Sequence, residues 1–249
     1  MSFMHKATAI IPARYGSTRL PGKALLDIGG KSLIQRVYER TRAASLVERV
    51  VVATDDPRIS EVVEAFGGEA LMTSPDHRSG TDRVAEAAGM TGGGIIVNVQ
   101  GDEPFISPAV IDGVIGRIME DAEIVCSTAA SPIDDETVWR DPNAVKVVLD
   151  RRGRALYFSR SPLPFYRDGG YGGAYLHAGI YCFRREFLMR FATLEQTPLE
   201  QAEKLEQLRM LEHGYRIGVV VTGHYAFGVD TPADLEAARR MAEGGISIL

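Results

Sequence analysis

The first residues that could do chemistry form a cation-rich loop near the N-terminus. It runs from Pro12 to Lys23 and combines glycine and hydroxyl residues with Arg14 and Arg19, while residues 1–26 contain no acidic residue. Glycines let backbone N–H groups approach phosphate oxygens, arginine binds them with two hydrogen bonds, and lysine adds a mobile positive charge. A solvated surface loop would explain the glycines and serine, but not the cations without acids. We therefore interpret the loop as a polyphosphate-binding site.

Two aspartates that follow later apolar runs are candidates for holding a divalent cation. Asp102 follows a run that ends at Val99, and Mg²⁺ prefers one or two carboxylates together with phosphate oxygens and water. The alternative to a metal ligand is that an acidic residue of this segment caps a helix or forms a turn, and Glu103 could have only that role. Asp230 precedes Pro232 at a predicted helix start, where an N-cap is as good an interpretation as a second metal ligand.

Polar residues elsewhere could contact the rest of a nucleotide or a second substrate. Arg78, Ser79 and Thr81 lie where a polar loop enters a predicted helix, and they could hydrogen-bond a base or ribose. Thr81 could equally be the helix cap. Arg160 follows a later predicted strand and adds a further cation.

A strand-like segment near residue 180 carries an isolated histidine. Alternation puts His177, Gly179 and Tyr181 on one face, so a polar substrate pocket is possible there. An isolated histidine on a strand is more often a hydrogen-bonded structural residue than a catalyst. Glu206 and Gln207, on a later predicted helix, look solvent-facing by themselves.

The elements that position these residues alternate between strand and helix. Strands are predicted at 7–11, 49–53, 70–73 and 94–99, and helices at 32–44, 58–66 and 81–90. This order predicts an α/β fold with a mostly parallel sheet and helices on both faces. In such sheets ligands bind beyond the carboxyl ends of the strands, where the polar loops converge.

The pattern changes in the second half of the chain. After helix 108–119 and strand 123–129, strand-like segments at 144–149, 155–159 and 175–183 have few helical residues between them. Helices 185–191, 199–213 and 232–242 and strand 216–221 complete the prediction. We expect a single domain, with a core of residues 1–140 and 215–249 and an inserted β-rich lobe of about residues 141–214.

Composition excludes several classes of protein. The chain has 249 residues and a net charge of −5, which argues against binding to nucleic acid or to an anionic membrane surface. No apolar stretch approaches the roughly 18 residues of a membrane helix. Cys126 and Cys182 match neither a metal pair nor a redox motif, and buried free thiols in a reducing cytoplasm are the expectation.

Six segments together resemble the CMP-KDO synthetases, the 3-deoxy-manno-octulosonate (KDO) cytidylyltransferases of the nucleotidylyltransferase class. The segments are IIPARYGSTRLPGK at 10–23, VNVQGDEP at 97–104, YFSR at 157–160, HAGIY at 177–181, LEQLR at 205–209 and GVDTP at 228–232. The first loop alone would indicate only a nucleotidylyltransferase. The combined set occurs in order along nearly the whole chain and is specific for this family.

The resemblance implies transfer of CMP from CTP to the anomeric hydroxyl of KDO, with release of pyrophosphate and a requirement for Mg²⁺. It implies that the catalytic residues are Arg14, Lys23, Asp102 and Asp230, with both aspartates as metal ligands. The implied CTP contacts are Pro12, Ala13, Arg14, Ser17, Arg19, Lys23, Arg78, Ser79 and Gln100. The implied sugar contacts are Arg160 for the carboxylate and His177, Tyr181, Glu206 and Gln207 for hydroxyls, which overrules the solvent-facing interpretation of the last two.

The resemblance further implies a Rossmann-like nucleotidyltransferase sheet, a homodimer formed through the β-rich lobe, and a place in lipopolysaccharide biosynthesis. No dedicated histidine base is expected, because the hemiketal hydroxyl is acidic for an alcohol. Three alternatives remain open. They are a cytidylyltransferase for 8-amino-KDO or sialic acid, an enzyme that acts on a sugar 1-phosphate, and a non-catalytic nucleotide sensor on the same fold.

Overall fold

The structure, a computed structural model, describes residues 6–16, 19–77, 79–223 and 227–244. The chain divides into two units, one drawn from Met1–Asp112 and Ala226–Leu249 and the other from Gly113–Tyr225. The predicted lobe at 141–214 falls inside the second unit, and its separate role stays a prediction. Ser17 and Arg78, both predicted to contact a nucleotide, lie outside the described residues.

Helices and strands alternate through the first unit and part of the second. The helices are α1 (Leu33–Arg42), α2 (Pro57–Ala65), α3 (Gly80–Thr91), α4 (Pro108–Glu120), α5 (Glu136–Arg140), α6 (Arg185–Phe191), α7 (Pro198–Glu203), α8 (Gln207–Glu212) and α9 (Pro232–Glu243). The strands are β1 (Ala7–Ala13), β2 (Asp27–Ile28), β3 (Lys31–Ser32), β4 (Val47–Thr54), β5 (Ala70–Met72), β6 (Ile95–Asn98), β7 (Ile124–Ile133), β8 (Lys146–Leu149), β9 (Ala155–Ser159), β10 (Ala174–Arg184) and β11 (Arg216–Val221).

The first unit contains a parallel sheet in the order β6, β1, β4, β5. Ile10 of β1 lies opposite Val51 on one side and Asn98 on the other, and all three side chains are buried. Strands that are covered on both faces need continuous apolar runs, which explains the Ala/Ile/Val segments of the sequence. The predicted α/β fold with a mostly parallel sheet is confirmed, and the carboxyl ends of β1, β4 and β6 share one edge.

The second unit is dominated by antiparallel pairing. β10 pairs antiparallel with both β7 and β8, and β8 pairs antiparallel with β9, whereas β11 runs parallel to β7. The register of β10 against β7 shifts between Ala178 and Tyr181. Because two extra residues enter there, His177 and Tyr181 remain on one face and Gly179 lies in the irregular stretch.

The predicted helix at 199–213 is wrong, because the chain forms two short helices there. α7 ends at Glu203, because the next residue, Lys204, has a left-handed φ of 54° that cannot belong to a continuing α-helix. The break allows Leu205 to be buried and directs the Glu203 carboxylate to Ser159 and to the amide of Arg160. These tertiary contacts override a sequence that carries no glycine or proline at the break.

Three small elements are absent from the prediction. Lys23–Leu25 forms a 3₁₀ helix, β2 and β3 form a hairpin, and α5 begins after the capping residue Asp135. The hairpin turns at Gly29 and Gly30, which both have positive φ, as the tight turn between two-residue strands requires. Such short segments carry too few residues for periodicity to reveal them.

Two exclusions drawn from the sequence can be compared with the structure. Cys126 and Cys182 are buried free thiols, as predicted, and burial raises the pKa of each above its ordinary value. Among the described residues, no helix combines the length and apolar character needed to cross a membrane.

A buried ion pair links α7 to α8 and provides a test of the second unit's packing. Arg209 Nε donates to Glu200 Oε2 at 2.7 Å, and the two side chains are only 10% and 7% exposed. Arg209→Met removes the cation and leaves the carboxylate buried, so we expect the free energy of unfolding to fall by about 3–5 kcal/mol. Arg140→Met breaks the exposed pair with Glu136 and should cost at most about 1 kcal/mol. Urea denaturation measures both, and equal losses would contradict the expectation.

Candidate functional site

An open cleft of about 330 Å³ lies at the carboxyl edge of the first unit's parallel strands. Five parts of the chain line it: the end of β1, the loop that follows β1, the start of α3, the loop after β6, and the segment before α9. The lining residues are Pro12, Ala13, Arg14, Arg19, Lys23, Ala24, His77, Ser79, Gly80, Arg83, Gln100, Gly101, Asp102 and Asp230. The cleft therefore brings together every described residue that was predicted to contact CTP or metal.

The central contact of the cleft is a lysine shared by two aspartates. Lys23 Nζ lies 2.8 Å from Asp102 Oδ2 and 3.0 Å from Asp230 Oδ1, and Arg19 Nη2 lies 3.3 Å from the same Asp230 oxygen. Burial opposes the charge of Lys23, but the two carboxylates outweigh it, so the lysine pKa lies above its ordinary value. Residues separated by about two hundred positions in the sequence thus form one charged cluster.

Backbone contacts hold the two aspartates side by side. The Val229 N–H donates to the Asp102 carbonyl at 2.9 Å, and the Val229 side chain is fully buried. Thr231 is the N-cap of α9 and forms a capping box with Asp234. Because Thr231 fills the capping role, the N-cap interpretation of Asp230 is wrong and its carboxylate is directed at Lys23.

The loop that carries Lys23 is fixed by a glycine and an aromatic ring. The Gly22 N–H donates to the Tyr15 carbonyl at 3.1 Å, and Gly22 has a φ of 67°. A Cβ at this position would lie 3.2 Å from the Tyr15 ring, so glycine is favoured on two grounds. The Tyr15 ring also stacks against the guanidinium of Arg58, whose Cζ is 3.3 Å from the ring centroid.

The start of α3 presents polar groups to the cleft. Ser79 is the N-cap of α3 and exchanges hydrogen bonds with Asp82, so the interpretation of Thr81 as the cap is wrong. Gln100, which follows β6, also lines the cleft, and its Nε2 is 3.4 Å from Asn98 Oδ1.

Sequence reasoning missed His77 and Arg83, although both lie in or beside the polar loop that was examined. Arg83 is buried and donates to Asp55 Oδ2 at 2.8 Å and to Thr73 Oγ1. His77 pairs with Glu86, and the contact lowers the pKa of the Glu86 carboxyl. The sequence carried a signal for these residues. It was a charged side chain near the start of a predicted helix, at the sheet edge where ligands bind.

Gly101 was also missed, and its role depends on a close approach of two segments of the chain. A Cβ there would lie 2.8 Å from the Pro12 carbonyl oxygen. The missing side chain therefore lets the loop after β6 pack directly against the end of β1, which brings Asp102 to the cation loop.

The donor set of the cleft fits a divalent cation that is completed by a ligand. Among the residues that the structure describes, no group of three or more histidine, cysteine or acidic side chains could hold a metal alone. The carboxylates of Asp102 and Asp230 share the Lys23 ammonium. Two neighbouring carboxylates are the protein ligands of a typical Mg²⁺ site, whose other ligands are phosphate oxygens and water.

Glu103 lies in a turn, as one interpretation allowed, because its N–H donates to the Gln100 carbonyl at 3.4 Å. Its side chain is buried, and burial together with the neighbouring Asp102 raises the carboxyl pKa to about 7. Its Oε2 has no hydrogen-bond partner within the described part of the chain.

The second unit holds a separate cluster of polar side chains. The His177 and Tyr181 rings lie 5.5 Å apart, and Tyr181 Oη donates to Gln207 Oε1 at 3.1 Å. Gln207 is 3% exposed and its Nε2 has no partner among the described residues, whereas Glu206 is half-buried. The solvent-facing interpretation of Gln207 is therefore wrong, since the break before α8 turns this residue inward.

The hydrogen bonds of His177 indicate which ring nitrogen carries its proton. Thr128 Oγ1 is 2.7 Å from the Ile180 carbonyl and 2.9 Å from His177 Nε2. The hydroxyl has one proton to give to the carbonyl, so it accepts from Nε2–H and leaves Nδ1 as an acceptor. Burial lowers the pKa of His177 to about 3, which makes the imidazole neutral near pH 7.

Arg160 lies at the end of β9, apart from the contacts of His177 described above. Its Nε donates to the Glu203 carbonyl at 2.8 Å and its Nη1 to the Pro142 carbonyl at 3.1 Å. The guanidinium is thus oriented by neutral acceptors.

A parallel α/β sheet with a cationic, dicarboxylate cleft at its carboxyl edge defines a nucleotidyltransferase, and comparisons with known proteins specify the family. A family model described as Cytidylyltransferase matches residues 8–217. The chain belongs to the cytidylyltransferase family.

Individual relatives match over nearly the full length of the chain. A 3-deoxy-manno-octulosonate cytidylyltransferase of Geobacter metallireducens is 55% identical over 242 residues, covering 93% of this chain and 95% of the relative. The protein of the same name from Geobacter sulfurreducens is 56% identical over 240 residues, covering 92% and 96%. The solved structure of a CMP:2-keto-3-deoxy-manno-octonic acid synthetase complexed with CTP matches with a TM-score of 0.93 at 44% identity, covering 97% of this chain and 100% of that one.

The close approach at Gly101 is testable by adding one methyl group. Gly101→Ala places a Cβ against the Pro12 carbonyl, and relieving the overlap should cost about 1–3 kcal/mol of unfolding free energy. Gly94→Ala is the matched control, because a Cβ there meets nothing within 4 Å. Chemical denaturation of both variants measures the difference, and an equally stable Gly101→Ala protein would contradict this role of the glycine.

The depressed pKa of His177 predicts a pH dependence of stability. Between about pH 3, the folded value, and the ordinary value of 6.5, the unfolded chain binds the proton more readily. The histidine's contribution is therefore complete above pH 6.5 and is lost as the pH falls. Relative to His177→Gln, the wild type should lose roughly 1–2 kcal/mol between pH 8 and pH 5. Urea denaturation at both pH values measures this, and parallel losses would show that the imidazole is not buried neutral.

Proposed function

We propose that this chain transfers CMP from CTP to the anomeric hydroxyl of KDO, giving CMP-KDO and pyrophosphate for lipopolysaccharide biosynthesis. The observation that carries the proposal is the cluster of Lys23, Asp102 and Asp230 in the cleft. It occurs in a chain that is 55% identical to a protein named for this activity. The geometry of the cluster supports the transfer chemistry, and the names of the relatives support KDO as the substrate.

Arg14, Arg19 and Lys23 bind the triphosphate in this proposal. Arg14 and Arg19 are exposed beside the cleft and are available to phosphate oxygens. Lys23 donates to both aspartates in the structure, which leaves the third N–H of its ammonium for a phosphate oxygen. These cations also stabilise the charge that develops on the leaving pyrophosphate.

Asp102 and Asp230 would hold Mg²⁺ together with triphosphate oxygens. When bound, the ion would neutralise phosphate charge and polarise the α-phosphate for in-line attack. The Val229–Asp102 backbone hydrogen bond keeps the two carboxylates in place. Without a cation between them these carboxylates would repel the triphosphate.

The nucleoside contacts are assigned to uncharged groups of the same cleft. The backbone of Pro12 and Ala13, together with Ser79 and Gln100, offers the hydrogen-bonding groups for cytosine and ribose. Arg78 and Ser17 belong to the same proposal by resemblance.

The second unit supplies the sugar contacts. Arg160 is assigned to the KDO carboxylate, and His177, Tyr181, Glu206 and Gln207 are assigned to its hydroxyls. The unpartnered Gln207 Nε2 and the acceptor Nδ1 of His177 support this, because a polyhydroxylated ligand would satisfy both. A neutral imidazole with a depressed pKa is a weak base, so the proposal assigns His177 to binding and not to proton abstraction.

Two coarser features complete the proposal. A cytoplasmic location is supported by the two free thiols. A homodimer formed by the lobe at 141–214 would cover Phe165 and Leu156, which are 82% and 62% exposed. The resemblance to the family points to the same assembly.

A pyrophosphate-release assay tests the proposed function. CTP, UTP and ATP are each offered with KDO, 8-amino-KDO, sialic acid or a sugar 1-phosphate, with Mg²⁺ or with EDTA. We expect release with CTP, KDO and Mg²⁺, and loss of release with EDTA. Release only with a sugar phosphate would contradict the proposal, and CTP binding without any release would favour a nucleotide sensor.

The carboxylate pair is tested in the same assay by single substitutions. Asp102→Asn and Asp230→Asn keep the size of each side chain but remove a charge, so kcat/KM should fall by at least about 10²-fold. Asp134→Asn changes an exposed carboxylate outside the cleft and should leave the rate as it is. Activity that survives both cleft substitutions would remove these residues from the proposed metal site.

A further inference from the structure

Arg160 carries a positive charge that is oriented but not neutralised by the protein. Its guanidinium donates to the carbonyls of Glu203 and Pro142. No ion pair joins it to a carboxylate anywhere in the described ranges, since the Glu203 carboxylate accepts from the Arg160 backbone N–H instead, at 2.9 Å. A half-buried cation held by neutral acceptors is suited to an anionic ligand.

A fully buried lysine lies next to this arginine. Lys146 is 0% exposed, and its ammonium donates to the carbonyls of Asp141 at 2.8 Å, Ala144 at 2.5 Å and Arg160 at 2.6 Å. These contacts use all three N–H donors of an ammonium group. The charge therefore holds three backbone segments in place.

The contacts of Lys146 act on both ends of Arg160. One carbonyl that it binds belongs to Arg160 itself. The other two belong to the turn at residues 141–144, which contains Pro142, the residue whose carbonyl orients the Arg160 Nη1. The position of the guanidinium is thus linked to Lys146 through the backbone of Arg160 and through the turn.

Glu203 completes this arrangement from α7. Its carboxylate accepts from Ser159 Oγ at 2.5 Å and from the Arg160 N–H, while its own carbonyl accepts from Arg160 Nε. The end of β9 is therefore held by a lysine on one side and by a glutamate on the other.

We propose that Lys146 is a positioning residue for Arg160 and that, together with Glu203, it sets the preference of this site for a carboxylate-bearing sugar. The inference rests on the proposed function, because that function assigns the KDO carboxylate to Arg160. The sequence alone could not indicate it, since Lys146 occupies an ordinary strand position.

Electrostatics support a role beyond stability. Burial lowers the pKa of Lys146, and Arg160 adds to that effect, while Asp141 and Glu203 oppose it. Burying an ammonium is costly, and apolar side chains at such positions are often as stable or more so. A second cation beside Arg160 also makes the site more favourable for an anion.

The test compares Lys146→Met with the wild type in steady-state pyrophosphate release. We expect the KM for KDO to rise about tenfold or more, while kcat and the KM for CTP change by less than about threefold. Lys31→Met, which removes an exposed lysine paired with Glu39, is the matched control and should change none of the three. A general loss of structure would move the CTP and KDO constants together and would overturn the inference.

A double-mutant cycle separates positioning of Arg160 from an independent effect. In an Arg160→Ala background, Lys146→Met should add less than about twofold to the KM for KDO, because there is no guanidinium left to position. A full additional increase would overturn the inference. Should Lys146→Met prove insoluble, Glu203→Gln provides the same comparison, with the same expected rise for KDO alone.

The failure of this inference differs from the failure of the proposed function. A wild type that releases no pyrophosphate from CTP and KDO would overturn the proposed function and the inference with it. An active wild type whose constants are unchanged by Lys146→Met would overturn only the inference.

Discussion

The ion pairs that Lys23 makes with Asp102 and Asp230 are the interaction on which the first unit's cleft depends. Three distant parts of the chain supply these side chains, so the sheet must place the loop after β1, the loop after β6 and the segment before α9 at one edge. Gly101 allows the required approach to β1, and the Val229–Asp102 hydrogen bond keeps the carboxylates together. The lysine makes this pair of like charges tolerable in the absence of ligand.

The polar sites of the two units differ in their charge. The cleft in the first unit is open and strongly charged, which suits a polyphosphate that brings its own negative charge. The polar cluster in the second unit is more enclosed and includes a neutral histidine and an amide, which suits hydroxyl groups. Arg160 lies apart from the His177 contacts, and the proposed function assigns the sugar carboxylate to it.

The sequence predicted what depends on local pattern and missed what depends on tertiary contact. The parallel strands and the cation loop follow from apolar runs and from cations without acids, and both are found. Gln207 was misplaced because a helical pattern cannot show that the chain breaks at Lys204. The N-cap and metal-ligand interpretations of Asp230 were equal in sequence, and only the hydrogen bond between Thr231 and Asp234 assigned the cap to Thr231. Family resemblance, and not spacing, supplied the sugar contacts.

Net charge shows most clearly how a global property can mislead about a site. The total of −5 argues against extended polyanions as partners, yet the cleft is lined by Arg14, Arg19, Lys23 and Arg83 against two aspartates. Affinity for a small anion depends on charges within about a Debye length, roughly 8–10 Å at physiological ionic strength, and more distant charges are screened. Local composition, such as a stretch of 26 residues without an acid, is therefore a better guide to a phosphate site than the charge of the whole chain.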